Sequence, residues 1–180
     1  IVFNTLAAPA AAILGWIVVE KLRTGKATAV GAVSGVVAGL VAITPACANL
    51  TPGWALLLGL IAGAVCALAI ELKFNLGFDD SLDVVGLHLV AGIIGTLYLG
   101  LFATDTGLFV GGDAGQLVVQ TISVLAVAIF SFAASWLIGT AIQKTIGFRV
   151  TSEEEIAGID LAVHGESGYA MSSRGTVPAE

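Results

Sequence analysis

The sequence predicts an all-α membrane protein that crosses the bilayer several times. Charged residues make up 11% of the 180 residues, apolar residues make up 57%, and the mean hydropathy is +1.01. In soluble domains about a quarter of the residues are charged. Long uncharged runs alternate here with short charged links, and each run is about as long as a helix that spans a hydrocarbon core. These features exclude a soluble globular domain.

Five uncharged runs predict five transmembrane helices, at about residues 1–19, 27–48, 53–71, 84–104 and 114–143. The second and third come from one uncharged stretch, which Asn49-Leu-Thr-Pro-Gly53 divides because proline and glycine end helices. Residues 1–146 are therefore predicted to form the transmembrane domain. Residues 147–180 contain two basic and six acidic residues and lack a sustained apolar period. We expect them to form a cytoplasmic tail that is either disordered or docked through a few apolar side chains.

The basic residues all fall on one side of this five-helix topology. They are Lys21, Arg23 and Lys26 after the first helix, Lys73 after the third, and Lys144, Arg149 and Arg174 after the fifth. Loops rich in lysine and arginine stay in the cytoplasm. We therefore expect a multi-pass plasma-membrane protein with a cytoplasmic C-terminus and an extracellular N-terminal end.

Glycines at helical spacing predict close helix packing in the bilayer. They are Gly31, Gly35 and Gly39 in the second helix, Gly59 and Gly63 in the third, and Gly92 and Gly95 in the fourth. Small residues let helix backbones approach each other in lipid, where association depends on packing. We expect these glycines to pack helices together rather than to contact a substrate.

Neither the acidic link before the fourth helix nor the cysteines predict a metal or cofactor site. Asp83 is predicted to cap the fourth helix, and Asp79 and Asp80 are predicted to be solvated. Cys47 and Cys66 lie in uncharged runs without CxxC spacing, so we expect small buried side chains.

His88 is the strongest candidate for a functional group. It lies inside an uncharged run, and on a helical wheel it shares one face with Val84, Gly92, Gly95 and Leu99. A polar side chain in hydrocarbon is costly and is normally turned toward the protein interior or a water-filled path. The simpler alternative is that the ring only bonds a carbonyl of a neighbouring helix.

Three segments in this order resemble the ammonium transporter (Amt/Rh) family. They are Asp79-Asp-Ser-Leu-Asp-Val-Val-Gly-Leu-His-Leu-Val-Ala-Gly-Ile-Ile-Gly95, Val41-Ala-Ile-Thr-Pro-Ala-Cys47 and Gly158-Ile-Asp-Leu-Ala-Val-His-Gly-Glu-Ser-Gly-Tyr169. The resemblance implies that the chain corresponds to the last five of eleven helices in an inverted-repeat fold, followed by the cytoplasmic tail. It also implies transport of ammonium or ammonia through a narrow apolar pore.

The resemblance implies roles for particular residues. His88 matches the second of the family's paired pore histidines, and Val84 matches a residue that lines the same pore. The partner histidine, the outer cation site and the phenylalanine gate belong to earlier helices. Leu89 stands where the family commonly has glycine, and we expect it to alter packing rather than to remove the pore.

The resemblance also assigns the tail to regulation and assembly. The matching tail residues are Gly147, Arg149, Gly158, Asp160, Glu166 and Tyr169. In the family this region couples the subunits of a homotrimer and, in many bacteria, binds a PII-type signalling protein. We expect the same partners here, together with the lipid bilayer.

Two other functions would fit the residues. A structural or regulatory membrane subunit would use His88 only for helix packing. An intramembrane serine protease would need a serine and a histidine on facing helices, and Ser34 with His88 could supply them. The surrounding Ala32-Val-Ser-Gly35 lacks the leading glycine of a Gly-x-Ser-Gly pattern. Of the three functions, transporter, membrane subunit and protease, the protease is therefore the least supported.

Overall fold

The computed structural model describes residues 1–166, which are helical apart from the connecting turns. The α-helices are α1 (Val2–Thr24), α2 (Ala29–Ile43), α3 (Pro52–Ala69), α4 (Leu72–Leu76), α5 (Val90–Phe102), α6 (Ala114–Thr145) and α7 (Ser152–Ala157). Two π-helical turns, Val84–Leu89 and Asp160–His164, precede α5 and follow α7. Tyr169 of the predicted tail motif lies outside the described residues.

Within residues 1–166, four helical stretches are long and apolar enough to cross a bilayer, and α2 is a shorter apolar helix. The sequence predicted a span over residues 27–48, but α2 has 15 residues, about 22 Å at the α-helical rise. The Thr28 hydroxyl accepts the Gly31 N–H at 2.9 Å and so fixes where α2 begins. Pro45 explains why it ends early, since proline has no backbone N–H to donate to the Val41 carbonyl.

The chain divides into two compact units, Ile1–Ile129 and Phe130–Glu180. The boundary between these units falls within α6. The 32 residues of α6 would extend about 48 Å, longer than a hydrocarbon core, and none of them is buried by the described chain.

In the core of the first unit, the backbone of α1 packs directly against glycines of the neighbouring helices. A Cβ at Gly59 would lie 2.0 Å from the Ala8 carbonyl oxygen, and one at Gly63 would lie 2.0 Å from that of Ala12. Such separations are far below van der Waals contact, so α1 and α3 can be this close only because the glycines have no side chain. This places two of the predicted glycines directly at a helix interface.

The glycines of α2 face α1 in the same way, with one difference. Gly39 packs on Pro9, through which α1 continues without interruption, and Gly35 packs on Ala12. Gly31 instead faces the carboxylate of Glu20. That carboxylate accepts the backbone N–H and the hydroxyl of Thr28 at 3.0 and 2.7 Å. Glu20 of α1 therefore bonds the residue that precedes α2.

A buried amide joins the start of α1 to the turns after α2. Asn4 is 5% exposed, and its side chain donates to the carbonyl oxygens of Cys47 at 3.0 Å and Leu50 at 2.7 Å. These carbonyls follow the end of a helix, where backbone acceptors have no helical partner. Asn4 therefore stabilises an irregular segment that would otherwise contain unsatisfied buried groups.

Asn4→Ala is expected to reduce the free energy of unfolding by about 1–3 kcal/mol, the usual cost of leaving buried polar groups without a partner. Thermal unfolding of the intact polypeptide in detergent measures this effect as a lower midpoint. The matched control is Thr5→Ala, because the Thr5 hydroxyl is exposed and donates only to the Ile1 carbonyl of its own helix. Equal midpoints for the two variants would contradict the role assigned to Asn4.

Candidate functional site

His88 lies in a π-helical turn rather than in an α-helix. The turn comprises Val84–Leu89 and leads directly into α5. The His88 ring is exposed from the described chain, and Val84, one turn earlier, is 52% exposed. Single π-helical turns are rare and occur frequently at functional sites. Sequence patterns do not indicate this turn, since its residues fit an α-helical pattern equally well.

The cap of this turn is Asp80, not Asp83 as predicted. The Asp80 carboxylate accepts the N–H groups of Val84 at 2.7 Å and Val85 at 2.9 Å. Asp83 makes no capping hydrogen bond, and its backbone has a φ of 55° in the left-handed region. The prediction that Asp80 would be a solvated loop residue was therefore also wrong.

Lys73 of α4 binds the same acidic loop from the other side. Its ammonium group donates to the Asp80 carbonyl at 3.0 Å and lies 2.8 Å from Asp83 Oδ1. The second contact is an ion pair by distance but is not aligned as a hydrogen bond. The two side chains are 18% and 26% exposed, so this pair is screened less by water than a surface pair.

The body of the helix is fixed by two further glycines on different sides. Gly86 lies against Ile70, where a Cβ would be 2.8 Å from the Ile70 Cα, and Gly95 lies against the Ala42 carbonyl oxygen of α2. In an α-helix residues nine apart lie on opposite sides. The π-helical turn and α5 thus pack on the end of α3 through Gly86 and on α2 through Gly95.

The residues predicted to share one helix face with His88 therefore differ in burial. Gly95 and Leu99 are buried, whereas His88 and Val84 are exposed. Gly92 was predicted to pack a helix, but within the described chain a Cβ there would meet nothing within 4 Å. The reason is geometric, because the contact with α2 is made at Gly95 and the contact with the end of α3 is made at Gly86.

The surroundings of His88 show which groups can act on it. Within residues 1–166 no hydrogen bond to the ring is found, and its sequence neighbours Leu87 and Leu89 are apolar. The same residues contain no group of three histidine, cysteine or carboxylate side chains that could hold a metal ion. The imidazole is thus a polar group exposed from the part of the bundle that the described residues form.

The opposite end of α5 carries an aromatic cluster that the sequence reading missed. The ring of Phe102 lies 4.3 Å from that of Trp54, 4.4 Å from that of Tyr98 and 5.6 Å from that of Phe109. The Tyr98 hydroxyl donates to the Trp54 carbonyl at 3.1 Å. These contacts join α3, α5 and the following loop, so they fix the far end of the helix that carries His88.

In the second unit, the predicted tail residues form a short folded segment. The Thr151 hydroxyl and the Glu154 carboxylate cap α7 reciprocally. Arg149 donates to both carboxylate oxygens of Glu155, and this hydrogen bonding holds the pKa of the Glu155 carboxyl below its usual range. The tail is therefore ordered here, at least as far as α7 and the turn that follows it.

The remaining tail residues mark turns. Gly147 and Gly158 have φ values of 83° and 93°, which favour glycine. The Asp160 carbonyl accepts the N–H of Glu166 at 3.0 Å and closes the π-helical turn Asp160–His164. The apolar side chains of this segment are exposed from the described chain; they are Ile156, Ile159, Leu161 and Val163.

Comparison with known proteins gives the family. Residues 1–169 match the Ammonium Transporter Family. The chain belongs to this family. An ammonium transporter of Mycobacterium tuberculosis is 47% identical over 189 residues, which cover 97% of this chain and 40% of the relative. The family consists of transporters rather than enzymes, which removes the protease alternative and confirms the prediction of an all-α membrane protein.

Solved structures of related transporters have the same fold over most of the chain. A Sensor Amt Protein aligns with a TM-score of 0.82 and 30% identity, over 89% of this chain and 40% of that chain. Candida albicans Mep2 aligns with a TM-score of 0.75 and 34% identity, over 84% of this chain and 36% of that chain. The chain thus spans about two fifths of the length of the transporters it matches.

Sequence reasoning missed three residues around the π-helical turn. Asp80, Lys73 and Gly86 were not assigned to the site from the sequence. The available signal was the spacing of Asp80 before Val84, which suits a carboxylate that reaches forward to a helix start. The sequence offers no basis for choosing between Asp80 and Asp83, since both precede the helix and only the structure shows which carboxylate reaches its first N–H groups.

Proposed function

We propose that this chain is the C-terminal part of an ammonium transporter and that His88 lines its pore together with Val84. In this proposal the five spans form half of the conducting bundle, and the pore lies between this half and helices that belong to an earlier part of the polypeptide. Residues 147–180 act as the cytoplasmic regulatory tail. The C-terminus is cytoplasmic, and the assembly is a homotrimer that binds a PII-type signalling protein through the tail.

The observation that carries the proposal is the exposed His88 ring in a rare helical turn. An imidazole that faced lipid would be costly, because no water or protein group would bond its nitrogens. Its exposure from the described residues is explained if another part of the transporter faces it. Inverted-repeat transporters form their substrate path at such an interface, with irregular helix segments lining it.

The chemistry of the ring suits ammonium. A bare ammonium ion loses its hydration in an apolar tube, at a large cost in free energy. A neutral imidazole nitrogen can accept an N–H hydrogen bond from ammonium and then its proton, which leaves ammonia. The imidazolium releases that proton on the far side, so no net charge remains on the protein. Hydrated sodium or potassium finds no cage of oxygen ligands in such a tube.

The alternative is a structural or regulatory subunit in which His88 only packs a helix. Reconstitution of the intact polypeptide into liposomes on a solid support separates the two functions. We expect an ammonium-dependent current that methylammonium also produces and that equal concentrations of sodium or potassium do not. A subunit without a transport path would give no ammonium-dependent current, and this result would overturn the proposal.

A further inference from the structure

We propose that Lys73, Asp80 and Asp83, together named the Lys73 clamp, position the His88 ring by holding the π-helical turn in place. The inference rests on the proposed function, since it assigns positioning residues to the same site. None of the three side chains contacts substrate in this account. They act through the backbone of the Val84–Leu89 turn.

The first contact of the clamp is between Asp80 and the start of the turn. The first N–H groups of a helix have no partner within the helix. Asp80 Oδ1 accepts the Val84 N–H at 2.7 Å and Asp80 Oδ2 accepts the Val85 N–H at 2.9 Å. Because both oxygens of one planar carboxylate are used, they restrict rotation of the first turn as well as its translation.

The second contact fixes the backbone of the loop that carries the Asp80 carboxylate. Lys73 donates to the Asp80 carbonyl at 3.0 Å and pairs with Asp83 at 2.8 Å, so one cation binds the loop at both ends. Asp83 adopts a left-handed backbone conformation that a residue other than glycine adopts only when its surroundings enforce it. The ion pair with Lys73 provides that enforcement. Without it, the loop is free to place Asp83 at the helix start in place of Asp80.

The third step carries the constraint to His88. The Asp83 carbonyl accepts the Leu87 N–H at 2.7 Å, so the residue paired with Lys73 is bonded to the neighbour of His88. Gly86 is pressed against Ile70 on the opposite side of the same turn. The turn is thus held at its start by the clamp and in its middle by α3. If Asp83 replaced Asp80 as the cap, the backbone between the start of the turn and Gly86 would rotate. His88 lies two residues after Gly86, so its ring would move as well.

The test uses Lys73→Met and Asp80→Asn in the intact transporter, with Lys73→Arg as the conservative variant. The readout is the ratio of charge moved to methylammonium taken up, which a purely structural loss of protein would not change. We expect Lys73→Met and Asp80→Asn to shift this ratio in the same direction as His88→Ala. Transport is expected to fall by about tenfold or more, since small misplacements of a reacting group have effects of that size. Lys73→Arg is expected to retain most of the wild-type ratio.

A double substitution shows whether the clamp acts through His88. If it does, adding Lys73→Met to His88→Ala produces no further shift of the ratio. Lys26→Met is the matched control, because Lys26 is an exposed lysine in another loop and its side chain lies outside the clamp. The membrane-inserted amount of each variant is measured by fluorescence-detected size exclusion.

The outcomes distinguish the inference from the function on which it rests. Suppose that His88→Ala shifts the ratio of charge to methylammonium, while Lys73→Met and Asp80→Asn leave it unchanged. This result overturns the role of the Lys73 clamp and leaves the proposed function in place. An unchanged ratio with His88→Ala overturns the proposed role of His88 itself. If Lys73→Met does not insert, Asp80→Asn decides, because it keeps the size of the side chain while removing its charge and one of its two acceptor oxygens.

Discussion

Gly59→Ala is expected to destabilise the transporter strongly, although alanine is the better helix former. The added Cβ would lie 2.0 Å from the Ala8 carbonyl oxygen and 2.7 Å from its carbon, so it would collide with backbone that cannot move independently of α1. Overpacking of a well-packed interior costs about 1–3 kcal/mol or more. We expect a lower midpoint of thermal unfolding in detergent and a smaller fraction of correctly assembled protein.

The matched control is Gly53→Ala in the same helix. A Cβ at Gly53 would meet nothing within 4 Å in the described chain, so the substitution is free of the collision. Alanine is favoured over glycine in a helix by up to about 1 kcal/mol, which predicts a neutral or slightly stabilising effect. Opposite effects of the same chemical change at Gly59 and Gly53 would show that the glycine acts through the contact of α3 with α1. Equal effects would contradict that account.

His88→Ala is expected to change the number of charges moved with each ammonia by about tenfold or more. A group that transfers a proton commonly contributes a hundredfold or more to a rate, and alanine can neither accept nor release a proton. Ammonia can still pass an apolar path without the imidazole, whereas the proton has lost its carrier. The ammonium-dependent current is therefore expected to fall more than the uptake of the amine.

His88→Glu tests the same assignment from the other direction. A carboxylate keeps a group that binds a cation and a proton but replaces a neutral acceptor with a negative charge, so we expect it to retain more current than alanine does. Leu89→Ala is the matched control, because it lies in the same π-helical turn and leaves the imidazole in place. We expect Leu89→Ala to alter stability without altering the ratio of charge to amine.

Much of the architecture could be predicted from the sequence, because the thickness of a bilayer sets the length of an uncharged run. The runs from about 53 to 71, 84 to 104 and 114 to 143 correspond to α3, to the π-helical turn with α5, and to α6. The predicted length of the second helix was too great, since hydropathy cannot show that the chain leaves the helix before Pro45. Residues in a turn can be as apolar as residues in a helix.

The details of the candidate site depended on contacts between distant residues. Asp80 and Asp83 both stand at a plausible distance before the helix, but only Asp80 hydrogen-bonds its first N–H groups. Gly92 and Gly95 have similar surroundings in sequence, but only Gly95 meets α2. The partners of Asn4 lie more than 40 residues away. The spacing of residues within one helix carries no information about which residues of other helices and turns they contact.

The most direct test of the account measures charge and amine movement in the same liposomes. Intact transporter and its His88→Ala variant are reconstituted at equal density, and the ammonium-dependent current is recorded beside the uptake of labelled methylammonium. The account predicts that the ratio of charge to amine falls in the variant and stays at the wild-type value in Leu89→Ala. An unchanged ratio in His88→Ala would contradict the claim that this imidazole carries the proton.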